Sequence, residues 1–126
     1  MASMPTTHTI WIKKTESGGS VYQLQTKVGR GDVVLFQVDP QTPVWATVYI
    51  PNAQDFEFTG KVSKRNKVTQ MDLGESTSMQ FRVDSSGVKI RRLDQPRTIY
   101  FCPFSVYIDG SDTFVASTPV MLLDPP

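Results

Sequence analysis

The chain is 126 residues long and carries 13 basic and 12 acidic side chains, a formal net charge of +1. That length suits one domain spanning residues 1–126, and 39% hydrophobic with 20% charged residues is the balance of a globular rather than a disordered chain. Near-neutral charge excludes the basic excess of a dedicated nucleic-acid binder, one cysteine excludes an internal disulfide, and one histidine excludes a metal site built on two histidines of one chain.

Strands separated by turns account for the whole pattern, and no amphipathic helix of ordinary length is expected. Thr9 to Lys13 opens the chain with Ile10 and Ile12 on one face and Trp11 on the other. Residues 16–20 form a turn cluster. Val21 to Val28 then alternates, with Tyr22, Leu24, Thr26 and Val28 expected to share the buried face. After the turn Gly29-Arg30-Gly31-Asp32, the run Val33 to Val38 is apolar on both faces, as a central strand should be. Val44 to Ile50 is the next strand, and Phe56 and Phe58 share one face of a short one. Gly60 to Gln70 is polar and basic and reads as a loop or a helical turn. Thr77 to Val83 points Met79, Phe81 and Val83 one way; a turn at Asp84 to Gly87 leads into Val88 to Arg92. Arg97 to Ile108 is a long strand bent at Pro103, and Phe114 to Leu123 closes the series. Seven to nine short strands at this spacing predict an all-β chain, a β-sandwich or barrel.

No stretch approaches the roughly 18–20 apolar residues of a membrane span. Residues 1–14 hold no basic segment followed by an apolar one, so either the chain is cytoplasmic, the default for a single free thiol, or a signal segment has been removed.

Three segments carry a family likeness: Gly31-Asp32-Val33-Val34-Leu35-Phe36, then Trp45-Ala46-Thr47-Val48-Tyr49-Ile50, then Tyr100-Phe101-Cys102-Pro103-Phe104. In this order they resemble the cupredoxins, the family of plastocyanin and azurin. The resemblance runs from Ile10 to Leu123; the family's small Greek-key sandwich of seven or eight strands implies for this chain a single Greek-key β-sandwich of seven to nine strands. It does not extend to copper, which needs two imidazoles, a thiolate and a weak axial ligand. Cys102 matches the copper cysteine, but Ala46 stands where the first histidine belongs. No histidine lies near Ser105 and no methionine near Gly110. The resemblance therefore implies a metal-free scaffold with no cofactor.

Candidate chemistry is sparse. Cys102 lies in an aromatic-rich strand and reads as a buried small hydrophobe; the alternative is a redox or metal-binding protein using that thiol. His8 precedes the first strand and reads as exposed. Lys61, Lys64, Arg65 and Lys67 form one basic group, and Lys89, Arg91, Arg92 and Arg97 a second; solvated faces and loops explain both. Asp109 and Asp112 flank a turn with too few ligands for calcium. The Arg30-Gly31-Asp32 tripeptide reads as a turn into a core strand rather than an adhesion loop. No Ser-His-Asp set and no Gly-rich phosphate loop is present, so no catalytic residue is assigned and no enzyme is expected. The cupredoxin-like topology would gather Trp45, Phe104, Ser105 and Tyr107 at the end where copper would lie, as an apolar binding surface. The expected function is a non-enzymatic binding or structural module that engages a protein or self-associates, without nucleic acid or membrane.

Overall fold

The structure is a computed structural model that describes residues 5–15, 18–41, 45–59, 68–72, 77–84, 86–93, 101–108 and 119–123. Among these residues there is no helix, and so none long and apolar enough to cross a membrane. Twelve strands follow one another among the described residues: β1 (Thr7–Thr15), β2 (Gly18–Val21), β3 (Gln25–Val28), β4 (Val33–Val38), β5 (Ala46–Ile50), β6 (Phe56–Phe58), β7 (Val68–Asp72), β8 (Thr77–Val83), β9 (Val88–Arg92), β10 (Phe101–Pro103), β11 (Ser105–Ile108) and β12 (Val120–Leu123). They form three sheets, ordered β2-β1-β4-β9-β6, β10-β12-β3 and β11-β5-β8-β7. Two pairings are parallel, β1 with β4 and β12 with β3; the others are antiparallel.

Period-two alternation sets the buried faces. Ile10 and Ile12 of β1, Val34, Phe36 and Val38 of β4, and Val88 and Ile90 of β9 turn inward from the five-stranded sheet. Ala46, Val48 and Ile50 of β5 and Met79, Phe81 and Val83 of β8 turn inward from the four-stranded sheet. The two faces meet at aromatic edges: Phe36 lies 5.3 Å from Phe81, and Phe58 lies 5.7 Å from Phe81. Both are T-shaped contacts, the geometry that sets a ring's positive edge against a negative face. Phe104 adds a third at 5.5 Å from Phe36.

Several expectations change. The strand count exceeds seven to nine because two segments each divide between sheets and a further strand, β7, forms where a loop was expected. Val21 to Val28 divides into β2 and β3, parting at residues 22–24, so Thr26 and Val28 are buried but Tyr22 and Leu24 are exposed. The long strand of Arg97 to Ile108 is broken at Phe104 rather than Pro103: β10 pairs with β12 and β11 with β5. Residues 97–100 lie outside the described residues. The end of the basic segment is not loop: Val68–Asp72 pairs antiparallel with β8, while 60–67 lie outside the described residues. Val44 and residues 114–118 lie outside them as well.

Two glycines close tight turns with positive φ, Gly31 at 75° and Gly87 at 84°. At Gly31 the Asp32 N–H donates to the Gly29 carbonyl at 3.1 Å, with the positive φ at the third position of a type II turn. At Gly87 the space is also closed: a Cβ there would lie 2.7 Å from Leu35 Cδ1 and 3.2 Å from the Phe36 carbonyl oxygen. Gly87→Ala meets both an unfavourable backbone region and a steric overlap with β4. The expected outcome is a loss of roughly 1–3 kcal/mol of unfolding free energy, read as a lower midpoint in urea denaturation with an unchanged slope.

Candidate functional site

β1 and β2 are paired only from Ile12 to Thr15, opposite Val21 to Gly18. One further bond, from the Tyr22 N–H to the Trp11 carbonyl at 3.1 Å, ends the pairing. The chain then leaves β1 and joins β12 as β3, where Val120 N–H donates to the Leu24 carbonyl at 2.9 Å. The divergence opens a groove of about 500 Å³ lined by His8, Thr9, Gln23, Gln25, Thr26, Lys27 and Leu122.

The large hydrophobic side chains exposed among the described residues flank this groove. Trp11 points outward from β1, and Tyr22, 58% exposed, lies beside it across the last hydrogen bond. Leu24 follows two residues on. Phe101, 66% exposed, pairs in register with Leu122, which pairs with Lys27. Phe101 and Leu122 therefore share the outer face of the three-stranded sheet, next to the groove. Tyr22 is held in place from two sides. Its hydroxyl donates to Asp39 at 2.5 Å, which raises the phenol and lowers the carboxyl, and Lys13 Nζ lies 4.8 Å from its ring centroid.

The lower end of the groove is closed by Asp32. Its carboxylate meets His8 Nε2 at 2.8 Å and accepts from the N–H groups of Thr6 at 3.0 Å and Gly29 at 2.9 Å. Partial burial pushes the carboxyl up, but His8 and the two backbone donors together hold it below the ordinary carboxylate value. Asp32 thus fastens the start of β1 and the end of β3 to the start of β4. In this role Asp32 turns inward, so the Arg30-Gly31-Asp32 tripeptide is a turn whose acid is engaged. His8 is half-buried and engaged rather than exposed.

The expected surface of Trp45, Phe104, Ser105 and Tyr107 is not assembled as such. Phe104 is a core residue at 1% exposure, because the sheet change between β10 and β11 turns its ring in against Phe36. Ser105 pairs with Tyr49 and Ile108 with Ala46, so Trp45 and Phe104 fall at opposite ends of the β5–β11 pair. Trp45 instead lies under Arg82, whose guanidinium carbon is 4.6 Å from the ring centroid. Ser105 and Tyr107 are half-buried, on the face opposite the buried Val106 and Ile108. The second basic group also dissolves: Arg91 pairs with Glu57 at 2.7 Å, Arg92 is buried, and Arg97 lies outside the described residues. Lys61, Lys64, Arg65, Lys67, Asp109 and Asp112 lie outside them too.

Cys102 has no accessible surface. Its thiol donates to the Asn52 carbonyl at 3.1 Å, and burial, with Asp55 adding to it, pushes its pKa up to about 12. A copper thiolate needs the opposite environment and imidazole partners. Ala46 offers no donor and the lone histidine is bonded to Asp32, so these residues do not fit a blue copper centre.

The outward rings beside the groove have a signal in the sequence. Trp11 falls opposite two inward isoleucines, and Phe101 falls next to an inward cysteine, so strand alternation alone places both rings outside. No sequence signal marks the divergence of β3 from β1.

No protein-family model matches the chain, and no curated protein matches it. Among solved structures, one similar chain is the cysteine protease inhibitor EhICP2 from Entamoeba histolytica. It is 8% identical, with 96% of this chain and 100% of that chain covered and a TM-score of 0.41. A likeness that distant assigns neither a family nor a function.

Two outcomes follow from this geometry. The Cys102 thiol will resist a thiol-specific chromogenic reagent in the native protein at pH 8 and react at once in denaturant; rapid native reaction would refute the buried, protonated thiol. Asp32→Asn will lower stability at pH 7 by about 1–2 kcal/mol through loss of charge-assisted bonds. A depressed folded-state pKa contributes stability that is full above the unfolded value of about 4 and is lost as pH falls through the folded one. Urea unfolding of both proteins from pH 7 down to pH 2 will therefore show the difference shrinking below about pH 4.

Proposed function

We propose that this chain is a non-enzymatic protein-binding module whose binding surface is the groove side of the molecule. The observation that carries the reading is the placement of Trp11, Tyr22, Leu24 and Phe101, four large side chains left exposed on either side of one groove. Scattered single hydrophobics are ordinary on a protein surface; a group around a concave feature is what recognition surfaces use. Aromatic anchors carry much of the binding energy at such surfaces. The scaffold that goes with this reading is a Greek-key sandwich resembling the cupredoxins without their copper, as the order of the Gly31-Asp32 turn, β5 and the Cys102 strand suggests. Cys102, closed into the core, lends no support to a redox role.

The test compares the wild-type chain with a Trp11→Ser/Phe101→Ser double variant and with Tyr49→Ser on the four-stranded sheet. Each is immobilised and exposed to extract, and self-association is followed by sedimentation. Under this reading the wild type and Tyr49→Ser retain the same partner or the same self-association, and the double variant loses it by tenfold or more while keeping its unfolding midpoint. Equal retention by the double variant, or loss in Tyr49→Ser alone, would move the binding surface elsewhere.

A further inference from the structure

The polar side chains of the groove hold hydrogen-bonding capacity that the fold does not use. Thr9, Gln23, Gln25, Thr26 and Lys27 line it, and none of these five side chains hydrogen-bonds to another described residue. His8 differs, because its Nε2 is engaged by Asp32. Thr26 is the informative member. It is buried, at 7% exposure, on the same face of β3 as the fully buried Val28, yet it lines the groove with its hydroxyl unbonded among the described residues. A buried hydroxyl without a partner costs free energy that water or a ligand can return.

The sense of these groups narrows the ligand. The amides of Gln23 and Gln25 each donate and accept, and so do the hydroxyls of Thr9 and Thr26; the Lys27 ammonium only donates. A phosphate or carboxylate, which only accepts, would leave half of this set unmatched. An apolar ligand would find only Leu122. Charge is balanced as well, with Lys27 in the lining and the Asp32 carboxylate at the lower end. A ligand built of hydroxyl groups, each both donor and acceptor, fits such a set. The neighbouring aromatics supply the second requirement. Trp11 shares the outward face of β1 with Thr9, two residues or about 7 Å along the strand. Tyr22 stands beside it, held by Asp39 and by Lys13. The negative face of an aromatic ring attracts the C–H face of a sugar ring, whose rim of hydroxyls then reaches sideways to polar groups.

From these placements we infer that the groove binds a small neutral sugar, a mono- or disaccharide, stacked on Trp11 and hydrogen-bonded by Thr9, Gln23, Gln25, Thr26 and Lys27. This goes beyond the protein-binding reading and shares with it only the aromatic rim. The volume of about 500 Å³ lies within the range of small-molecule sites. The Tyr22–Trp11 hydrogen bond closes one end and the Asp32 cluster the other, which suits a compact ligand or the end of a glycan chain rather than the middle of one.

The test is an NMR titration of the isotope-labelled full chain with the methyl glycosides of glucose, galactose, mannose and N-acetylglucosamine, then with maltose, cellobiose, lactose and chitobiose. Glucuronate is the charged control. At least one neutral sugar should saturate with a Kd on the order of 1 mM, ordinary for so small a ligand. It should shift the amides of Thr9, Gln23, Gln25 and Lys27 and the indole N–H of Trp11, and leave those of β5 and β8 in place. Added sodium chloride should change the affinity less than twofold, since no ion pair is formed. Trp11→Ala and Gln25→Ala should each weaken binding tenfold or more. Gln23→Ala, outside the strands, serves the same purpose if either variant does not fold. Failure of every neutral sugar to saturate, shifts confined to the four-stranded sheet, or wild-type affinity in the variants would overturn the inference. So would binding of glucuronate alone with an affinity that falls steeply with salt. A partner lost in Trp11→Ser/Phe101→Ser while no sugar moves the groove amides would refute the sugar site and leave the protein-binding surface standing.

Discussion

A guanidinium in the middle of the molecule sets the terms for everything around it. Arg92 has no accessible surface, yet a charge taken out of water costs several kcal/mol unless the protein replaces its hydration. Its Nη1 donates to the Val28 carbonyl at 2.8 Å, and its backbone N–H donates to the Asp32 carbonyl at 2.9 Å. A buried carboxylate, Asp55, stands close in sequence to the residue paired with Arg92, since Phe56 and Arg92 are in register. Val28 ends β3 in the three-stranded sheet, and Arg92 ends β9 in the five-stranded one. The side chain therefore ties two sheets across 64 residues of sequence. Asp32 continues the tie outward to Thr6, His8 and Gly29. Without this knot nothing in the ladders would oblige β3 to return to the five-stranded sheet after leaving it.

That return shapes the groove. β2 lies beside β1, the chain leaves it at residues 22–24 to form β3, and it is drawn back at Gly29 by Asp32. The same manoeuvre occurs at Phe104, where the chain passes from β12 to β5 within one residue. The two sheet changes have opposite consequences for their aromatics. At Phe104 the changing residue points inward and its ring completes the Phe36–Phe81 cluster. At residues 22–24 it happens at the molecule's edge, and Tyr22 and Leu24 are left outside.

This contrast marks what could be read from the sequence. Alternation identified the inward faces of β1, β4, β5, β8 and β9, because side-chain period is local and burial follows from it. It misjudged Tyr22 and Leu24, because a continuous period of two says nothing about where a strand changes partners. Val68–Asp72 was hidden for a related reason: a polar strand at a sheet edge carries no hydrophobic signal of its own, and its pairing with β8 is long-range information. Arg92 looked like one of several surface cations, since the groups that make its burial tolerable, the Val28 carbonyl among them, lie far away along the chain. Phe104 was legible as aromatic and strand-borne, but its direction depended on the break it creates. For the binding site, Trp11 and Phe101 were legible as outward-facing residues; their convergence on one groove was not.

A groove closed at both ends differs from an open sheet edge. An outer edge offers its hydrogen bonds to any extended chain, which is why such edges favour aggregation. The ends of the groove are fixed, by the Trp11–Tyr22 hydrogen bond at one and the Asp32 cluster at the other. The buried charge that appears wasteful in the core is then connected to the surface feature: Arg92 and Asp32 hold β3 at the separation from β1 that leaves one groove between them.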